Sequence, residues 1–74
     1  MFDLEEMMLR VFVNGEHHTL PDNFTMAELL ERLGINNRYC AVEQNHEVIP
    51  RENHSDTRLA DGDTLEIVTL VGGG

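Results

Sequence analysis

Seventy-four residues read as one domain, 1–74, which buries only about 60% of the surface its unfolded chain exposes, leaving little room for a deep catalytic pocket. The 41% apolar content is that of a folded domain, and no apolar run approaches the ~20 residues needed to span a bilayer. Fourteen acidic residues against five arginines and no lysine give a net charge of −9, which makes nucleic acid and anionic membrane poor partners, since both reward positive surface.

The amino terminus, "MFDLEEMM", is acidic where a secretory signal would be basic. The stretch "MLRVFVNGEHHTL" then reads as a hairpin. Leu9, Val11 and Val13 alternate with Arg10 and Phe12, and Asn14-Gly15 is a favoured two-residue turn because both positions tolerate positive φ. His18 and Leu20 continue on the returning strand, which Pro21-Asp22 ends.

"NFTMAELLERLG" predicts a helix of roughly eight or nine residues, too short to persist alone. Thr25 is a good N-cap and Glu28 completes a capping box; Phe24 and Leu29 have the spacing of a hydrophobic staple. Met26, Leu29, Leu30 and Leu33 make one apolar face, and Gly34 suits the position just past the end. Such a helix must lie on a sheet.

"RYCAVEQN" and "EVIP" predict two short strands around a turn near Asn45-His46, with Pro50 stopping the second. "RENHSDTR" is polar and irregular, with room for one helical turn, and "ADGDT" supplies a tight turn. "TLEIVTLV" is the longest strand candidate, apolar at Leu65 and Ile67 and again at Val68 and Leu70, as a central strand would be. The order β-β-α-β-β-β predicts an α+β fold, a small mixed sheet with one helix packed across one face. Placing the last strand parallel to the first makes this a β-grasp, or ubiquitin-like, roll with a projecting carboxy-terminal arm.

Internal chemistry finds little support. His17 and His18 are adjacent on a strand and so point to opposite faces. His46 and His54 lie in separate loops, so the four histidines read as surface residues rather than a zinc site, and no metal is expected. Cys40 falls in alternation with Val42, as a small buried residue would. One cysteine forms no internal disulfide, and a cytoplasmic protein is the simplest reading. Asp61 and Asp63 are explained by the turn they flank.

The carboxy terminus "VTLVGGG" has two readings. Taken alone, three glycines are a loose end, because chain ends fray. Alternatively, Gly72, Gly73 and Gly74 form a flexible tail, slim enough to thread a slot that admits no side chain. From Val71 such a tail reaches roughly 13 Å when extended. A carboxylate is a poor acyl donor until ATP converts it to an acyl-adenylate. With no nucleotide-binding motif present, that activation would belong to a partner.

Taken together, "VNGE", "TMAELLERL", "AVEQNHEVIPR", "DGDTLEIV" and the glycine end resemble the ThiS family of thiamine-biosynthesis sulfur carriers over about residues 9 to 74. The resemblance implies a non-enzymatic co-substrate with no bound cofactor. An adenylyltransferase related to ubiquitin-activating enzymes would use ATP to adenylate Gly74. Sulfur from a cysteine desulfurase would convert that end to a thiocarboxylate, and thiazole synthase would take the sulfur. Gly73 and Gly74 carry over as the functional pair. Residues 1–7 precede the usual family start, so Met7 or Met8 is a candidate initiator, and Gly72 is an extra glycine. The small subunit of molybdopterin synthase and protein-conjugating modifiers, or a plain interaction module, are the competing readings. The tight Asn14-Gly15 hairpin and "VIPR" favour the thiamine branch. The free protein is expected to be monomeric.

Strand alternation adds one expectation about partners. If the first and last strands are parallel neighbours, Phe12, Val68 and Leu70 form one exposed apolar patch at the base of the arm, with Val71 and Gly72 beyond it as further partner-contacting residues.

Overall fold

The computed structural model describes residues 7–70. Five strands, β1 (Met8–Val13), β2 (Glu16–Pro21), β3 (Cys40–Gln44), β4 (Glu47–Ile49) and β5 (Thr64–Thr69), and one helix, α1 (Met26–Arg32), follow the expected order. The strands form one sheet in the spatial order β2-β1-β5-β3-β4. β1 and β5 run parallel, and every other neighbouring pair is antiparallel. This is the mixed sheet of a β-grasp roll, with the last strand in the middle. β5 has six residues, the same as β1 and β2, so it is not the longest strand among the described residues.

The alternation that predicted the hairpin also sets the faces. Leu9, Val11 and Val13 on β1 are buried, as are Leu65 and Ile67 on β5 and Cys40 and Val42 on β3. Met26, Leu29 and Leu30 of α1 join the same core, with Phe24, Leu33 and Ile35 packed at its border. At seven residues α1 owes its persistence to this burial and to its ends. At the N-terminus the Thr25 side chain accepts from the Glu28 backbone N–H, and Glu28 accepts in return from the Thr25 N–H at 2.9 Å. At the C-terminus Gly34, with φ of +73°, donates to the Glu31 carbonyl while Ile35 donates to Leu30, a Schellman motif.

The connection from β4 to β5 is where the sequence reading falls short. A 3₁₀ turn at Arg51–Asn53 delivers His54 into the interior, where it is only 1% exposed. His54 is therefore not a surface histidine. Its ring bridges the side-chain amide of Asn37 and the carbonyl of Ile49, the latter at 3.1 Å. The same segment closes the start of α1: Ala27 N–H donates to the His54 carbonyl and Met26 N–H to Thr57. A polar loop is thus fixed to three elements at once. The physical reason is that a buried imidazole with both nitrogens partnered costs far less than its polarity suggests.

Candidate functional site

The candidate site residues among those described lie on β1 (Phe12), on β5 (Val68) and directly after β5 (Leu70), so the placement of β5 decides the geometry. Its start is held by the turn before it. Asp63 is buried and accepts from Ala60 N–H at 2.8 Å, from Gln44 Nε2 at 2.8 Å and from Asn45 Nδ2 at 2.9 Å. Asn45 in turn accepts from the Thr64 N–H. The turn residues Asp61 and Gly62 are bonded to the two backbone groups of Arg10 on β1. Both carboxylates thus serve the turn, as their spacing suggested, and Asp63 also ties it to the β3–β4 hairpin.

β1 pairs with β5 only through Phe12 opposite Thr64 and Val13 opposite Leu65. Immediately after Val13 the chain reverses at Asn14-Gly15, with φ of 50° and 85°. β5 therefore runs on past the end of β1. Alongside this overhang, the Asn14 side chain replaces a strand neighbour by bonding both backbone groups of Ile67. On the other side β3 follows β5 to its end, pairing Ala41 with Val68 and Cys40 with Thr69. Leu70 then donates to the Tyr39 carbonyl at 2.6 Å.

This offset corrects the expected patch. Phe12, Val68 and Leu70 are indeed exposed, at 43%, 59% and 52%, and alternation puts all three on the face away from α1. They do not form one cluster. Val68 lies four residues beyond the Phe12–Thr64 register, a rise of roughly 13 Å along the sheet. Phe12 instead meets His17 of β2 edge-to-face, with ring centroids 5.7 Å apart. Val68 and Leu70 sit with Ala41 and Tyr39 at the end of the sheet from which the glycines follow. Val71, Gly72, Gly73 and Gly74 lie outside the described residues, as do residues 1–6 of the amino-terminal extension.

Cys40 is buried, and desolvation pushes its thiol up from the ordinary value of 9.0, away from the thiolate form a nucleophile needs. Among the described residues, no three His, Cys, Asp or Glu side chains converge as metal ligands would, and no helix is long and apolar enough to cross a membrane. Sequence reasoning missed the structural role of the Asn14 amide. The only signal available was an asparagine at a turn where glycine or aspartate would also serve.

Residues 8–74 match the family model described as the ThiS family. The chain is 40% identical over 53 residues to the sulfur carrier protein ThiS of Bacillus subtilis, covering 72% of this chain and 80% of that one. It is 38% identical over 66 residues to a thiazole synthase of Paramagnetospirillum magneticum; the match covers 89% of this chain but spans only 20% of the synthase's length. Among solved structures, the crystal structure of the thiamine biosynthesis protein ThiS from Geobacter metallireducens superposes with a TM-score of 0.76 at 35% identity. That alignment covers 89% of this chain and 100% of the other.

Proposed function

The chain belongs to the ThiS family, and on that premise we propose that it is the sulfur carrier for the thiazole ring of thiamine. The observation that carries this reading is the extent of the family match, which runs through to Gly74 beyond the central strand β5. In the proposed cycle an adenylyltransferase of the ubiquitin-activating kind transfers AMP from ATP to the Gly74 carboxylate and releases pyrophosphate. The persulfide of a cysteine desulfurase then displaces AMP as an acyl disulfide. A thiol cleaves the S–S bond and leaves the thiocarboxylate on Gly74.

Thiazole synthase accepts that sulfur. The similarity between this chain and a segment of a thiazole synthase chain supports it as a partner. The carrier itself supplies an acyl group and a docking surface, with Gly73 and Gly72 as the slim approach and Val71, Leu70 and Val68 at its base. ATP is bound by the activating enzyme, so the carrier needs neither cofactor nor metal and is not itself an enzyme. The cytoplasm is the compartment proposed for the cycle, where reduced thiols persist.

The test is intact-mass measurement after incubation with ATP, the adenylyltransferase, the desulfurase and cysteine. The expected result is a gain equal to one oxygen-for-sulfur exchange, localised to Gly74. A variant lacking Gly73 and Gly74 that gains the same mass would overturn the reading.

A further inference from the structure

The helix covers one face of the sheet; among the described residues the other face has no covering layer. Its central row crosses three strands: Val48 on β4 stands opposite Glu43 on β3, and Glu43 stands opposite Glu66 on β5. The next row toward the carboxy terminus is Ala41 and Val68. Two carboxylates are therefore placed directly opposite each other between exposed apolar neighbours, Val48 being 71% exposed. Like charges in that position destabilise a sheet. Among the described residues the arginine–carboxylate ion pair is Arg10–Asp61, and neither it nor the contact between His18 and Glu16 reaches this row.

The arrangement selects its occupant by charge. A second copy laid over this row would bring four carboxylates into a desolvated centre, so the apolar face rejects itself. A nucleic acid or an anionic membrane is rejected for the same reason. A protein surface that presents an arginine or lysine among apolar side chains meets both requirements, because the cation is shared by two carboxylates and the surrounding contacts exclude water. We propose that this sheet face docks the sulfur-accepting enzyme, the partner to which the match with a segment of a thiazole synthase points, and that Glu43 and Glu66 together receive one basic side chain from it. The inference rests on the carrier reading above and adds the chemistry by which the partner is recognised.

The experiment compares wild type with Glu43→Gln/Glu66→Gln, titrating each into thiazole synthase by calorimetry over a series of salt concentrations, with thermal unfolding of the free protein alongside. Glutamine keeps the shape and removes the charge. The double variant should bind roughly tenfold more weakly at low salt and show a flatter salt dependence, while its own thermal midpoint stays level or rises. Equal affinity at every salt concentration would overturn the inference and leave the carrier reading standing. A lowered midpoint would also overturn it, because the pair would then be serving the free fold. Failure of the wild type itself to bind the synthase would overturn the inference together with the partner assignment.

Discussion

Asn14 and Ile67, 53 residues apart, form a two-bond clasp: Ile67 N–H donates to Asn14 Oδ1 at 2.8 Å, and Asn14 Nδ2 donates to the Ile67 carbonyl at 3.0 Å. A side-chain amide thus completes the ladder where β1 has already turned away. Glycine at this position keeps the positive φ without strain and removes only the clasp. Asn14→Gly should therefore cost about 1–3 kcal/mol of stability, two hydrogen bonds at roughly 1 kcal/mol each. Hydrogen exchange read residue by residue should show protection lost first at the Ile67 amide. Unchanged exchange there would mean that the clasp does not hold the strand.

His54 invites a different substitution. Replacing it with leucine fills the volume but leaves the half-buried Ile49 carbonyl and Asn37 side chain without their partner. His54→Leu should destabilise the protein by about 2–4 kcal/mol, measured by urea unfolding. A loss below about 0.5 kcal/mol, the scale of an ordinary surface change, would show that the loop is held by its backbone bonds alone.

The separation of Phe12 from Val68 and Leu70 predicts unequal effects on partner binding. Leu70→Glu should leave the fold intact yet weaken association with both the adenylyltransferase and thiazole synthase, by roughly tenfold or more. Phe12→Ser, one register block away beside Thr64, should change either affinity much less. Equal losses for the two variants, with folding checked by circular dichroism, would restore a single continuous patch.

Cys40 makes a prediction about alkaline solution. Its folded thiol is raised by desolvation, so the folded state disfavours the thiolate. The stability linked to that neutral thiol is fully present below the ordinary thiol value of 9.0, and it is lost as pH climbs through the raised folded value. Cys40→Ala should cost on the order of 1 kcal/mol at neutral pH and remove this alkaline decline. Sulfur loading at the terminus should be unaffected. Loss of loading in a folded Cys40→Ala protein would move the chemistry from the tail to the thiol.

Much of this architecture was legible because its signals are local. The Leu9–Val11–Val13 alternation, the Thr25–Glu28 capping box, Gly34 and the positive-φ turns at Asn14-Gly15 and Asn45-His46 each act within a few residues. Those signals gave the strand faces and the helix ends. What stayed hidden depends on register between distant segments. The burial of His54 follows from Asn37 and Ile49 arriving around it, and nothing in "RENHSDTR" announces that. Phe12 was correctly turned outward but misplaced along the sheet, since alternation fixes a face and says nothing of offset. The glycine tail carries the family resemblance and falls within the family match, while residues 71–74 lie outside the described residues.

Of the described strands, β5 comes last in the chain and lies in the middle of the sheet. During synthesis β1 and β3 therefore emerge with their inner edges open, and the core between them cannot close until Thr64–Thr69 arrives. A nascent or prematurely terminated chain ending before Thr64 would present two unpaired edges, the kind of surface that recruits other strands and aggregates. Acquisition of the native fold and emergence of the sequence leading to Gly74 are nearly the same event. A cell that clears misfolded chains would thereby clear chains cut short before β5 is complete.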